Sequence, residues 1–130
     1  MSDAMVKGTD FVTVPTRNYE ESAKFYGEVL GLPFGKRWRE MPAGEFETGN
    51  LTIAIMQMDA FGREFAANGG AIALHVDDVA ASRAELESKG VQFVMDDIDS
   101  GVCHMGFFLD PDGNPLMLHH RYAPVGEGPS

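Results

Sequence analysis

The strongest constraint in this sequence is an internal repeat with an offset of 60 residues. Three pairs of matching residues carry it: Phe11 and Ala71, Asn18 and Asp78, and Ser22 and Ser82. Each half also has a Gly-Asn pair ahead of its last apolar segment, at positions 49–50 and 113–114. Such self-similarity predicts two modules of one plan. We expect neither module to be stable alone, because a single helix leaves the other face of a four-stranded sheet uncovered.

The first half predicts a module of order β-α-β-β-β over residues 9–57. DFVTVPT alternates in polarity, which indicates a strand. A helix follows, because four apolar residues recur at helical spacing: Tyr19, Ala23, Tyr26 and Leu30. Its expected N-cap is Asn18, and it should end after Leu30. KRWREM, GEFET and LTIAIMQM, separated by turn signals, then predict a three-stranded antiparallel meander.

The second half predicts the same order over residues 70–122. AIALHVD indicates a strand, DVAASRAELESKG a helix, and VQFVMDD, VCHMGFFLD and PLMLHH three further strands. Asp78 is the expected N-cap, while Asp110 and Asp112 in DPDGN are expected to bond nearby backbone N–H groups in a turn. Residues 58–69 have no regular spacing of apolar residues, which indicates a connector. Residues 123–130 indicate a flexible tail.

Composition narrows the range of partners. With 130 residues, 44% hydrophobic and 23% charged, the chain predicts one domain spanning residues 1–130. A net charge of -10 disfavours nucleic acid and anionic membranes as partners. The start lacks the regions of a signal peptide and no apolar run approaches a membrane span, so we expect a soluble cytoplasmic protein. Cys103 is the only cysteine, so an internal disulfide is excluded.

Two segments resemble the glyoxalase/bleomycin-resistance/extradiol-dioxygenase group, also called vicinal oxygen chelate (VOC) proteins. FFLDPDG before the last strand is the more specific, and the helix end S-x-x-FY-x-x-x-LGL is the second. The resemblance covers about residues 9–122. It implies an α+β fold of two tandem β-α-β-β-β modules whose curved sheets face each other around a cleft, often completed across a homodimer. The group includes metal-dependent enzymes and metal-free drug binders, so the fold does not decide the activity.

Strand alternation predicts which side chains line that cleft. Large aliphatic residues should face the helices: Val12, Val14, Ile53, Ile55, Ile72, Leu74, Leu116 and Leu118. The residues between them should face the cleft and form the ligand site: Phe11, Thr13, Pro15, Thr52, Ala54, Met56, Ala71, Ala73, His75, Cys103, Met105, Phe107, Met117 and His119. This set is mostly apolar, as small-molecule sites are, although a simple filled core is the alternative.

Four of these positions match the metal ligands of the metal-binding relatives. In those relatives His, Gln or Glu occupies the positions of Phe11, Ala54, Ala71 and Met117. None of these four side chains is a ligand for a divalent metal ion. The sequence therefore predicts no metal at the family site and no other cofactor.

His75 and His119 occupy alternating strand positions that should face the cleft, and their two strands should be neighbours. They could form the main polar contacts to a ligand, act as acid and base, or bind a displaced metal with Cys103 as a third ligand. A structural role is the alternative, since no carboxylate is evident beside them. Cys103 and His104 should point to opposite faces of one strand, which favours a buried, inert thiol. His120 is expected on the helix side.

Three functional hypotheses follow. The first is metal-independent binding or sequestration of a small aromatic or apolar molecule, with the acidic surface favouring cationic ligands. The second is a lyase, isomerase or dioxygenase-like enzyme of the same superfamily using His75 and His119, with or without a displaced divalent metal. The third is a structural dimer without a ligand. Trp38, Phe61 and Phe65 are expected at the cleft rim, as a lid or at a dimer contact.

Overall fold

The computed structural model describes residues 4–124, and its first module has the predicted order of elements. These elements are β1 (Phe11–Thr16), α1 (Tyr19–Lys24) with a π-helical turn (Phe25–Val29), β2 (Phe34–Arg37), β3 (Ala43–Glu47) and β4 (Thr52–Gln57). A short 3-10 turn (Met58–Phe61) begins the connector. Residues 125–130, most of the predicted tail, lie outside the described residues.

The second module repeats this plan. It contains β5 (Ile72–His75), α2 (Val79–Ser88), β6 (Ile98–Asp99), β7 (Cys103–Leu109) and β8 (Pro115–Arg121). The strand orders are β1-β4-β3-β2 and β5-β8-β7-β6. β1 pairs with β4 in parallel, and β5 pairs with β8 in parallel. The predicted fold class is confirmed: two tandem β-α-β-β-β modules whose curved sheets face each other around a cleft.

Both helices begin where the sequence predicts. The side chain of Asn18 accepts a hydrogen bond from the backbone N–H of Glu21 at 3.1 Å, and Asp78 caps α2 in the same way. The first helical segment ends near Leu30, its C-cap, as predicted, but its last turn, Phe25–Val29, is π-helical instead of α-helical. The N–H of Leu30 bonds to the carbonyl of Phe25, five residues back, which is the π-helical pattern.

Two predicted strands are corrected. Residues 91–97 are not a strand, since only Phe93 makes an isolated bridge, to Phe108, and the short β6 begins at Ile98. Their apolar alternation instead reflects packing of Val91 and Phe93 against the core. β2 lies earlier than KRWREM predicts, because the chain turns at Arg39, whose φ is 53°.

One hydrophobic core joins the two modules. Its buried residues come from both sheets and from both helical segments: Val14, Tyr19, Tyr26, Phe46, Ile53, Ile55, Val79, Leu86, Val91, Phe108, Leu116 and Leu118. Val12, Ile72 and Leu74 pack against this cluster while partly exposed. The prediction that the large aliphatic residues turn towards the helices is therefore confirmed.

The turn DPDGN also holds the modules together through the buried carboxylate of Asp110. Its Oδ1 accepts hydrogen bonds from the backbone N–H groups of Asp112 and Asn114, as the sequence predicts. Its Oδ2 accepts one from the hydroxyl of Tyr26 in the first module at 2.7 Å, which the sequence analysis did not anticipate. Burial, and next the charge of Asp110, raise the pKa of Tyr26 far above its ordinary value, so the hydroxyl stays a donor.

Asp112 and Asn114 bond directly to the first strand. The carboxylate of Asp112 accepts hydrogen bonds from the hydroxyl of Thr16 and from the backbone N–H of Arg17. The amide of Asn114 donates to the carbonyl of Pro15 at 2.8 Å. The turn therefore fixes the end of β1 against the start of β8.

Replacing Tyr26 with phenylalanine should test the bond between the modules. Tyr26→Phe leaves the buried carboxylate of Asp110 with one acceptor site poorly satisfied, so we expect the free energy of unfolding to fall by about 1–3 kcal/mol. Denaturant unfolding followed by circular dichroism measures this loss. The control is Tyr122→Phe, because Tyr122 donates to Asp99 at an exposed site. Equal losses in both variants would contradict the assignment.

Ser22 offers a stabilising substitution. Its side chain is fully buried in α1, and within the described residues its hydroxyl has no hydrogen-bond partner. Ser22→Ala removes that unsatisfied group, so the free energy of unfolding should rise by about 1 kcal/mol. Ser82→Ala, at the matching position of α2, is the partly exposed control and should change stability less. A destabilised Ser22→Ala protein would show that the hydroxyl has a partner in solution.

Candidate functional site

The candidate site is the face of the two sheets that turns away from the helices. On the first sheet, Phe11 lies opposite Thr52, Thr13 opposite Ala54, and Pro15 opposite Met56. The residues between them, such as Ile53 and Ile55, are buried in the core, so alternation places the predicted set on the other face.

The second sheet continues this face. Met117 lies in register between Ala73 and Phe107, and His119 lies between His75 and Met105. Cys103 is opposite Arg121 at the end of the same row of positions. Ala71 precedes β5 and is partly exposed.

Exposure varies along this face. Phe11 is 44% exposed, and Thr13 and Ala73 are exposed as well. A second group is half-buried: Thr52, Met56, Met105, Phe107, Met117 and His119. Aromatic rings and thioethers are thus accessible on a largely apolar surface, which is the usual composition of a small-molecule site.

The sequence analysis missed two carboxylates on this face. Glu45 and Glu47 of β3 lie opposite Ala54 and Thr52, respectively. The hydroxyl of Thr52 donates to Glu47 Oε1 at 2.7 Å, so this threonine bonds to a neighbouring strand. Alternation around Phe46, which is buried in the core, would have identified both glutamates.

Trp38 extends across the first sheet. Its indole N–H donates to Glu45 Oε2 at 2.7 Å, and its ring meets Phe11 edge-on with the centroids 5.9 Å apart. Because β4 and β3 separate β1 from β2, this contact passes over both strands. Ala43 and Ala54, small residues of β3 and β4, are fully buried.

The family's metal positions do not fit a metal ion. The side chains there are those of Phe11, Ala54, Ala71 and Met117, none of which supplies an imidazole or carboxylate ligand. Throughout residues 4–124, no group of three or more His, Cys, Asp or Glu side chains is placed to hold a metal ion. That result includes the displaced site considered for His75, His119 and Cys103.

The surroundings of His75 differ from the prediction. Its side chain is 73% exposed, and Nε2 lies 3.7 Å from a carboxylate oxygen of Asp77. The ring contact it makes is with His120, at 6.1 Å, although His119 is its partner in register. His75 ends the edge strand β5, so its ring has space to turn away from the cleft. Asp77 is also a carboxylate that the sequence analysis did not connect with His75.

Cys103 and His104 are separated as predicted. The thiol of Cys103 is buried, whereas His104 is exposed and lies 3.4 Å from the carboxylate of Asp99. The imidazole of His104 also packs on the ring of Tyr122. His120 lies on the helix side, where its Nδ1 is 3.2 Å from the carbonyl of Val76.

A concavity of about 620 Å³ adjoins the candidate site at the hairpin between β2 and β3. It is lined by Lys36, Arg37, Trp38, Arg39, Met41 and Glu45. Trp38 and Glu45 therefore belong both to this concavity and to the cleft face. No helix within residues 4–124 is long and apolar enough to cross a membrane.

Solved structures of similar fold cover most of the chain. A member of the glyoxalase/bleomycin resistance protein/dioxygenase superfamily from Sphaerobacter thermophilus is 20% identical with a TM-score of 0.76, over 89% of this chain and 98% of its own. An antibiotic binding protein from Streptomyces sp. CB03234 is 20% identical with a TM-score of 0.75, over 91% of this chain and 98% of its own. A lactoylglutathione lyase from Agrobacterium tumefaciens is 15% identical with a TM-score of 0.71, over 89% of this chain and 95% of its own.

The family model adds a match in sequence. A comparison with curated protein sequences finds no match. The family model for the Glyoxalase/Bleomycin resistance protein/Dioxygenase superfamily matches residues 8–118, which include the first module, the DPDGN turn and the second module as far as Leu118. With the two-module fold and its cleft, this match establishes that the chain belongs to the Glyoxalase/Bleomycin resistance protein/Dioxygenase superfamily.

Proposed function

We propose that this protein binds or sequesters a small aromatic or apolar molecule in its cleft without a metal ion. One observation carries this proposal. The four positions that hold metal ligands in metal-binding relatives have Phe11, Ala54, Ala71 and Met117, on a face rich in accessible rings and thioethers. Such side chains favour contact with an apolar body and leave metal-dependent chemistry without ligands.

The contacts to the ligand follow from the exposure of the face. Phe11 and Trp38 present ring edges and faces on the first sheet. Met105, Phe107 and Met117 are half-buried on the second sheet, so a ligand lying between the sheets would bury the rest of their surface. The proposed polar contacts come from Thr13 and His119, since Thr52 already donates to Glu47.

A metal-free lyase, isomerase or oxidoreductase is the second candidate function. The solved structures of similar fold include both a lyase and a binding protein, so the fold alone supports either class. The observation favouring an enzyme is Asp77, whose carboxylate lies 3.7 Å from Nε2 of His75, a distance that permits an ion pair with a protonated imidazole. The exposure of His75 and its contact with His120 favour binding as the primary function.

A homodimer in the cytoplasm completes the proposal. All four residues of the edge strand β2 are exposed, including Phe34 at 57%. An exposed edge strand with an aromatic side chain favours pairing with a second chain.

Binding can be tested with a neutral aromatic probe, N-phenyl-1-naphthylamine. Trp38 is the only tryptophan, so energy transfer from its fluorescence to the bound probe reports on the cleft. Met117→Ala removes apolar contact from the cleft face, and we expect about tenfold weaker binding. The matched control is Met95→Ala, because Met95 is 48% exposed and lies outside the cleft strands. Absence of binding to the parent protein, or equal effects of the two substitutions, would overturn the proposal.

Metal content gives an independent test. Protein purified without chelator should contain no stoichiometric zinc, nickel, iron or manganese, because the four family positions lack suitable ligands. Inductively coupled plasma mass spectrometry measures this content, with a buffer blank carried through the same purification. One tightly held ion per chain would contradict metal-independent binding and direct attention to His75, His119 and Cys103.

A further inference from the structure

Basic residues are concentrated at one place on this acidic protein. The segment Lys36-Arg37-Trp38-Arg39 holds three of the chain's ten Lys and Arg residues, while the whole chain has a net charge of -10. These residues, with Met41 and Glu45, line the concavity of about 620 Å³ beside the cleft face. We call Lys36, Trp38, Arg39 and Met41 the rim patch.

Two of the three cations are available to a ligand. The guanidinium of Arg37 is engaged, because it lies 3.0 Å from Glu20, stacks over the ring of Tyr19 and donates to the carbonyl of Met41. Within residues 4–124, Lys36 and Arg39 take part in none of the ion pairs. Both line the concavity.

Glu45, the acidic residue that lines this concavity, already accepts a hydrogen bond. Glu45 lies opposite Lys36 in register, but its Oε2 accepts the indole N–H of Trp38 at 2.7 Å. Glu20, which pairs with Arg37, and Glu40, which follows Arg39 in sequence, are not among the residues that line the concavity. The lining itself therefore carries more positive than negative charge. Such a lining favours an anionic group over a cation, although the chain as a whole is acidic.

The backbone of Arg39 gives a second reason to assign a role to its charge. Its φ of 53° lies in the left-handed region, where it is the one residue other than glycine within residues 4–124. Side chains with a Cβ pay about 1–2 kcal/mol in this conformation, which glycine avoids. The turn therefore carries a cation where the local geometry favours glycine.

We propose that the rim patch binds the anionic group of the ligand, so that the ligand class is an aromatic or apolar molecule carrying a carboxylate, sulfonate or phosphate. This inference rests on the proposed function and reverses the expectation of a cationic ligand. Trp38 connects the two parts of the site, because its ring contacts Phe11 on the cleft face and lines the concavity. An aromatic body against Trp38 and Phe11 places its anion near Lys36 and Arg39.

Two probes with one ring skeleton test this inference. 8-Anilinonaphthalene-1-sulfonate carries an anion, and N-phenyl-1-naphthylamine is the same skeleton without the sulfonate. We expect the sulfonate to bind about tenfold more tightly than the neutral probe at low salt, as two exposed charge contacts permit. In the double variant Lys36→Gln/Arg39→Gln this preference should disappear while the affinity for the neutral probe is unchanged.

Two further variants control for net charge and folding. Lys24→Gln/Arg63→Gln removes two cations from exposed positions outside the rim patch and should keep the preference for the sulfonate. Arg39→Gly should unfold at the same or a higher denaturant concentration than the parent, because glycine adopts the left-handed conformation without strain, and yet bind the sulfonate more weakly.

The outcomes separate this inference from the proposed function. Equal or tighter binding of the neutral probe by the parent would overturn the anionic ligand class and leave apolar binding in the cleft standing. A preference for the sulfonate that survives Lys36→Gln/Arg39→Gln would overturn the rim patch as its cause. Failure of both probes to bind would overturn both proposals.

Discussion

The buried carboxylate of Asp110 joins the two modules at one point. A buried charge is costly unless hydrogen bonds satisfy it, and Asp110 accepts them from the backbone N–H groups of Asp112 and Asn114, from the side-chain amide of Asn114 and from the hydroxyl of Tyr26. Three of these donors are within its own turn, and Tyr26 comes from the other module. The carboxylate is therefore fully satisfied only when the modules are docked, so the packing of the shared core and the position of the cleft depend on the same contact.

The fold was largely predictable from the sequence because its signals are local. Polarity alternation identified the strands, short polar residues identified both N-caps, and the 60-residue offset identified the duplication. The error at residues 91–97 arose because Val91 and Phe93 pack against the core without a partner strand, a difference that alternation alone does not reveal. The π-helical turn was missed because its apolar spacing also fits an α-helix.

The candidate site was predicted less completely, because its chemistry depends on residues far apart in sequence. Alternation along the strands places Phe11, Met117 and His119 on the face opposite the core, but it did not predict that Trp38 reaches Phe11 across two strands. The contact between His75 and His120 depends on how the chain turns at the end of an edge strand. The charge of the whole chain also does not predict the cations that line the concavity beside Glu45, since electrostatics at a site depends on the nearest charges.

The two modules share a backbone plan, but their cleft faces have diverged in chemistry. In the first sheet Glu45 lies opposite Ala54, whereas in the second Phe107 lies opposite Met117. One wall thus offers carboxylates beside small floor residues, and the other offers a ring and a thioether. The two ends of this pseudo-symmetric framework therefore differ in charge and in polarity. The repeated plan thus gives two walls of similar backbone, and the unlike side chains make the cleft face directional.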